Sequence, residues 1–374
     1  FSQSAPTSYP KAKLTRLGLR AQTARRMNKD VKDRAKEVAL DQLVRVLDQV
    51  PLVSSVKNDL SGLRSLLVRR RPPRIAALGL GGSGRSTLLR SLIERQAVRD
   101  PLHAEHGEWV QLEHEGAKID WLEVDLDDPE ARSQWKAALE KEVPDLVFLT
   151  LEPNNAPDAK QIIERAKSLL PDLPDGVDAL RVFPILTHAD LIGRGTTDVE
   201  AARIELDAKI RDSGLQADPP RAVSAISGYG LAGLSEAMVL ALPEETRLEA
   251  ARALTRATEA RVRIGNEIVQ ACTAVSVTVG VTPIPFSDMV LLAPLQAMMV
   301  SSLAYLSGRS WGKKTVAEWI GSLGVVGGLG MGLRFSAQTI AKLLPGAGNV
   351  VSAGVAGAGT TAMGQSAIKY FLRG

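Results

Sequence analysis

Gly79-Leu80-Gly81-Gly82-Ser83-Gly84-Arg85-Ser86-Thr87 is the segment whose residue types and spacing could do chemistry. Its glycines let the chain curl so that successive backbone N–H groups face a phosphate. A helix opening behind it adds positive field, and the Ser86 hydroxyl can ligate Mg2+. The segment fits the phosphate-loop pattern G-x-x-x-x-G-K-[ST] at every fixed position but one, where Arg85 replaces the lysine. A guanidinium is bulkier than an ammonium and meets phosphate with a fork rather than a point charge. The candidate phosphate-binding residues are Gly79, Gly81, Gly82, Ser83, Gly84, Arg85, Ser86 and Thr87.

A loop of this kind needs a strand leading into it and a helix opening from it. From Ile75 to about Leu242, short apolar runs alternate with charged helical segments, the pattern of a mostly parallel sheet with helices on both faces. Strands are predicted at Ile75–Leu80, Trp109–His114, Lys118–Val124, Leu146–Leu151, Val182–Leu186 and Ala222–Ser224. Helices are predicted at Ser86–Arg95, Pro129–Glu140, Ala159–Leu169, Val199–Ser213 and Leu231–Leu240. Glu115-Gly116 is short enough for a hairpin, so one strand should run antiparallel.

Three further motifs follow in order: Asp125-Leu126-Asp127-Asp128, Thr187-His188-Ala189-Asp190 and Ser224-Ala225-Ile226-Ser227-Gly228, after the third, fifth and sixth strands. With the glycine loop, these make residues 75–242 resemble the Era-like group of the P-loop GTPases. The resemblance implies a site for GTP or GDP with Mg2+. Ser86 and Asp125 would face the metal, and Thr187, His188, Asp190, Ser224 and Ala225 would surround guanine, whose two N–H donors Asp190 can accept. Departures from the family fall on its catalytic parts. Asp128 stands where a glycine contacts the γ-phosphate, and His188 replaces the lysine that packs on the base. No threonine lies between Thr87 and Thr150, where only Ser91 and Ser133 carry a hydroxyl. Hydrolysis depends on charge-stabilising groups around the γ-phosphate. Nucleotide binding is therefore expected, with slow or absent turnover and no assigned catalytic residue. The alternative is a catalytically inactive pseudo-GTPase serving as a structural or scaffolding subunit. Asp190 argues against an ATP-using relative.

Composition sets the frame around that domain. The 374 residues are 45% hydrophobic and 24% charged, which excludes a disordered chain and suits two or three domains. The single cysteine, Cys272, excludes an intramolecular disulfide and a Cys-rich zinc site. No Gly-x-Ser-x-Gly elbow or His-rich ligand pattern supports other enzyme chemistry, and His103 and His106 read as a solvated loop. The formal charge of +4 is unevenly spread. Lys and Arg against Asp and Glu number 17 to 6 over residues 1–74, 22 to 34 over 75–267, and 7 to 2 thereafter. The basic arm, including Arg69, Arg70, Arg71 and Arg74, could meet nucleic acid, anionic lipid or the acidic middle of its own chain. Nucleic acid is not expected, because Tyr9 is the arm's only aromatic residue beside Phe1. Residues 1–10 are polar, so no cleavable export signal is expected there.

The expected organisation is a basic N-terminal helical region over 1–73 and a GTPase-like α/β domain over 74–243. A helical linker over 244–267 and a hydrophobic helical domain over 268–374 follow. The last resembles the hydrophobic YcjF-type domain of unknown function that follows such G domains in some bacterial proteins. Pro283-Ile284-Pro285-Phe286-Ser287-Asp288 and Pro294-Leu295-Gln296-Ala297-Met298-Met299 carry that likeness. Asp288 is the only charge between Ile268 and Gly308, and Phe286–Leu306 is long enough to span a bilayer. Residues 268–368 are thus expected to insert in or lie on a membrane, or to form a homo-oligomer or protein assembly through Gly and Ala faces. The expected location is cytoplasmic, at the inner face of the inner membrane.

Overall fold

The computed structural model describes residues 69–93, 107–114, 116–153, 158–171, 180–192, 196–281, 292–309 and 349–373. The helices predicted over 29–67, His103, His106, the motif 283–288 and the uncharged stretch 320–333 lie outside them. By its contacts the chain divides between Ser54 and Ser55, and every described residue belongs to the second unit.

Three largely apolar runs build the centre of the sheet. β1 (Arg74–Gly79), β4 (Leu146–Leu151) and β5 (Val182–Leu186) are buried along almost their whole length. Such uninterrupted runs arise when helices cover both faces of parallel strands. β2 (Val110–His114) and β3 (Ala117–Asp125) form the expected antiparallel hairpin, with Leu112 opposite Ile119. A two-residue β6 (Arg221–Ala222) completes the order β2-β3-β1-β4-β5-β6, parallel except at β2. This is the expected mixed, mostly parallel sheet. The predicted β6 runs to Ser224, but the chain leaves the sheet earlier because Val223 O accepts from Ala189 N and Ser224 N turns back to Tyr229 O.

The intervening helices are α1 (Arg85–Leu92), α2 (Arg132–Lys141), α3 (Ala159–Lys167), α4 (Thr196–Ser213) and α5 (Leu231–Ala241). α2 begins three residues after the predicted start. Asp128 Oδ1 accepts from Glu130 N at 3.0 Å and Ala131 N at 3.1 Å, holding the intervening residues in a turn. Trp121 meets Phe148 edge to face at 6.0 Å between ring centres, and both are fully buried.

Four helices follow: α6 (Glu244–Ala253), α7 (Thr258–Val281), α8 (Ala293–Leu306) and α9 (Asn349–Leu372). α6 and the start of α7 occupy the segment expected as a linker, and the expected boundary at 267 and 268 falls within α7. α6 is buried, Glu249 and Arg252 included, against β3 and α8. Glu249 Oε2 accepts from Lys118 N of β3 at 3.3 Å, and Oε1 accepts from the Tyr305 phenol of α8 at 2.8 Å. Arg252 lies 4.0 Å from the Tyr305 ring centre and donates to Tyr305 O, Gly308 O and Arg309 O, closing the C-terminus of α8.

α7 and α9 run antiparallel in close contact. A Cβ on Gly364 would stand 2.5 Å from Val269 Cγ2, and one on Gly357 would stand 2.6 Å from Val277 Cγ2. Small residues two turns apart let the backbones approach. Among the described residues no helix is long and apolar enough to cross a membrane. The described part of the predicted span Phe286–Leu306 is α8, whose Leu295, Met299, Val300 and Leu303 are buried.

The basic residues leading into β1 and at its start meet the acidic middle of the chain. Arg71 holds Asp145 through both terminal nitrogens at 2.8 and 2.6 Å, and Glu245 at 3.4 Å. Arg70 pairs with Glu249 at 3.5 Å and Arg74 with Glu142 at 3.4 Å.

Candidate functional site

The glycine loop leaves the end of β1 and closes on the end of β4. Gly79 has no room for a side chain: a Cβ there would lie 2.1 Å from Thr150 Oγ1. Thr150 Oγ1 donates to Leu78 O at 3.1 Å, so the buried Ser83 hydroxyl, 2.8 Å away, is the donor to it. Gly82 and Gly84 adopt φ of 82° and 80°, which a side chain would strain. Ser83 N donates to Leu80 O, whereas no protein acceptor takes the N–H of Gly81, Gly82 or Gly84 among the described residues. The first turn of α1 carries no acidic residue, so its positive end is not neutralised from within the helix. Exposed Thr87 lies in that turn.

The expected base-binding motifs converge beside this loop. Thr187 Oγ1 lies 3.0 Å from Ser83 O and 3.1 Å from Leu151 O, tying β5 to the loop and to β4. His188 adopts φ 53°, the one described non-glycine residue with a positive value. Its Nδ1 is 3.1 Å from the Thr187 hydroxyl, and its ring faces Gly84, where a Cβ would be 3.2 Å from Cε1. Asp190 is exposed, and a hydrogen bond from Ser224 is the main cause holding its carboxyl below its ordinary range. Buried Ser224 also accepts from Ser227 N at 3.1 Å, and Ala225 O accepts from Ser91 of α1 at 3.2 Å. Ser91 is thereby committed away from the phosphate side, and Ser133 lies in α2.

Arg85 does not project freely into the loop. Its Nη1 donates to Gly79 O and Val124 O, and its Nη2 is 3.2 Å from Asp125 Oδ2. Asp125 Oδ1 accepts from Asp127 N at 3.0 Å. Ser86 Oγ donates to Glu123 Oε2 at 2.8 Å, and Glu123 Oε1 accepts from Trp121 Nε1 at 3.0 Å. The two oxygen donors expected for Mg2+ are thus committed to protein partners. A metal on Asp125 would also face the guanidinium, and two unit charges about 4 Å apart repel by roughly 4 kcal/mol at an effective dielectric of about 20. The residues present do not fit Mg2+, which requires near-octahedral oxygen ligation. Among the described residues no group of three His, Cys, Asp or Glu could hold a metal ion.

The segment after β3 is also braced. Arg165 of α3 donates to Asp127 at 2.8 Å and to Leu126 O at 3.4 Å. A cavity of about 250 Å³ opens there, lined by Asp125, Asp127, Asp128, Arg132, Trp135 and Arg165 among others. Glu123, Thr150, Glu152 and Arg165 are site neighbours that the motifs do not include. The alternation of β3 gives a signal for one of them, since Glu123 and Asp125 share a strand face. Glu152 Oε1 lies 3.5 Å from the position a Cβ on Gly82 would take.

Residues 245–374 match the model of a domain of unknown function, DUF697. The expected YcjF-type C-terminal domain is therefore present, and the match begins in the segment expected as a linker. No curated protein matches the chain. Among solved structures, a variant of SsGBP is 15% identical, over 49% of this chain and 63% of its own, with a TM-score of 0.31. A GTP-binding protein from the archaeon Sulfolobus solfataricus, in complex with GDP, is 14% identical over 55% of this chain and 66% of its own, with a TM-score of 0.33. The G domain of the T. maritima FeoB iron transporter is 19% identical over 46% of this chain and 99% of its own, with a TM-score of 0.32. The chain spans less than two thirds of the length of the first two.

Proposed function

We propose that this protein binds a guanine nucleotide in a GTPase-like domain and hydrolyses GTP slowly or not at all. One observation carries the reading. Thr187 and His188, from the motif that ends in Asp190, lie directly against Ser83 and Gly84 of the glycine loop, which supports reading the two segments as one ligand site. Gly79 and Gly81–Gly84 would offer the phosphates a curved backbone, the α1 N-terminus with Ser86 and Thr87 would add field, and Asp190 with Ser224 and Ala225 would select guanine. Weak turnover follows from the segment after β3. Asp125 is engaged by Arg85, Asp128 caps a turn, and neither is free to organise a γ-phosphate or a water.

The test is to denature the purified protein and identify any released nucleotide by chromatography, then titrate fluorescent GDP and ATP analogues and follow phosphate release from GTP. Guanine nucleotide bound in preference to adenine, with slow or undetectable release, is the expected result. Binding of neither base, or of both equally, overturns the reading.

A second reading, a pseudo-GTPase scaffold, is favoured by the bracing of Asp127 by Arg165. It expects the same hydrogen-exchange pattern over 125–131 with GDP and with a non-hydrolysable GTP analogue. A membrane or assembly contact through 268–368, at the cytoplasmic face of a bacterial inner membrane, completes the proposal. Vesicle flotation and sedimentation of the full chain test it, and a monomer that does not float removes that part.

A further inference from the structure

We propose that Arg85 is a built-in replacement for the divalent cation of this site, so that a guanine nucleoside diphosphate is held without any metal. The inference rests on the guanine-nucleotide reading and concerns how the charge of that ligand is met.

A guanidinium has five N–H donors in a rigid fork. Three are taken: Nη1 bridges Gly79 O and Val124 O, at the ends of β1 and β3, and Nη2 meets Asp125. The side chain is only 11% exposed and so is held in one place. Ser86 and Asp125 are thereby occupied, Ser86 by Glu123 and Asp125 by the arginine itself. Two donors of the fork remain, one on Nε and one on Nη2. Among the described residues the N–H groups of Gly81, Gly82 and Gly84 are likewise without a protein acceptor, and backbone donors of a curved loop suit phosphate oxygens.

Charge decides the length of the phosphate chain. Two carboxylates border the loop, Glu152 Oε1 at 3.5 Å from where a Cβ on Gly82 would stand and Asp125 Oδ2 at 3.6 Å from where one on Gly81 would. A third phosphate would enter this acidic surround with no metal to screen it, so the diphosphate is favoured. A lysine at position 85 would carry a point charge on a thinner stem, without the planar fork whose two terminal nitrogens reach the carbonyls and the carboxylate separately. It would leave Asp125 open to Mg2+.

The experiment uses the full chain and a fluorescent GDP analogue, titrated in millimolar MgCl2 and again in EDTA. The wild type is expected to give dissociation constants within about twofold of each other, and Arg85→Lys to bind at least about tenfold more weakly in EDTA than in Mg2+. Should Arg85→Lys fail to fold by circular dichroism, Asp125→Asn serves instead, and its binding is expected to stay insensitive to Mg2+. A wild type that loses tenfold or more in EDTA overturns the cation replacement and leaves the guanine-nucleotide reading standing. Absence of binding in both buffers overturns that reading and this inference with it. As an independent readout, stoichiometric Mn2+ binding by the nucleotide-free wild type, seen by electron paramagnetic resonance, also overturns the replacement, and none is expected.

Discussion

Strand β3 is gripped at both ends by an arginine and a carboxylate, and the two grips differ in what they leave unused. At its start, both oxygens of Glu249 are taken by Lys118 N and the Tyr305 phenol, Arg70 stands 3.5 Å away, and Arg252 covers the ring. At its end, Arg85 holds Asp125, but backbone donors of the glycine loop beside them have no acceptor among the described residues and Asp125 is a third exposed. The first cluster joins the sheet to α6 and α8, with both oxygens of its carboxylate engaged. The second stops short of saturation, which is the condition for taking up a ligand. Ion pairs of the same composition thus serve as a joint in one place and as a prepared surface in the other.

The largest effect that would break this contrast is expected at Glu249. Glu249→Ala removes the acceptor of a buried network and should cost about 3–5 kcal/mol in urea unfolding, with Glu249→Gln losing less because its amide oxygen still accepts from Tyr305. A cost below 0.5 kcal/mol for the alanine variant, on the order of a neutral surface change, would mean the cluster is no joint. Next in size is the α7–α9 contact. Gly364→Val places atoms where Val269 already lies and should cost about 1–3 kcal/mol or more, whereas Gly359→Ala meets open space and should be neutral or gain up to about 1 kcal/mol.

The C-terminal helices and the candidate base site should also answer to opposite ends of the pH scale. Burial pushes the Cys272 thiol from its ordinary 9.0 up to about 12 and, with the charge of Glu249, raises the Tyr305 phenol. These raised values mean that the folded state keeps protons which the unfolded chain releases. Their contribution is complete below the ordinary values and is lost as pH rises toward the folded ones. Stability should therefore fall above pH 9.0 for Cys272 and above 10.0 for Tyr305, by up to about 1.4 kcal/mol per unit for each group, and Cys272→Ala should flatten part of that slope. The same burial should keep Cys272 silent to thiol reagents until the chain unfolds. Asp190 is shifted the other way, so its contribution is present above its ordinary value and is lost only as pH falls through a lower one. The smallest effect on stability is expected there: Asp190→Ala should move unfolding by less than about 0.5 kcal/mol while abolishing the preference for guanine in the titrations.

Where the sequence was readable and where it was not follows from the range of the interactions. The runs Leu146–Leu151 and Val182–Leu186 declare themselves because parallel strands buried on both faces need continuous apolar residues. Glycines at 82 and 84 mark their own backbone angles. Arg85 was legible as a departure, but its partners were not, since Val124 lies 39 residues away in the chain. Asp128 reads as a lost glycine contact, and only the folded turn shows it capping the approach to α2. The burial of α6 was least visible, because a charged segment is read as solvated unless one knows that Glu249 meets Lys118, 131 residues earlier.

The antiparallel pairing of α7 with α9 has a consequence for how this chain is made. Gln365 meets Asn266 across 99 residues of sequence, and Thr361 meets Thr273 across 88. A ribosome adding about 5–20 residues per second needs roughly 5–20 seconds to cover such an interval. For that time Val269, buried in the finished molecule against Gly364, has emerged without its final cover. Closure by α9 comes late, and until then the nascent protein shows a chaperone the apolar face that the completed fold hides.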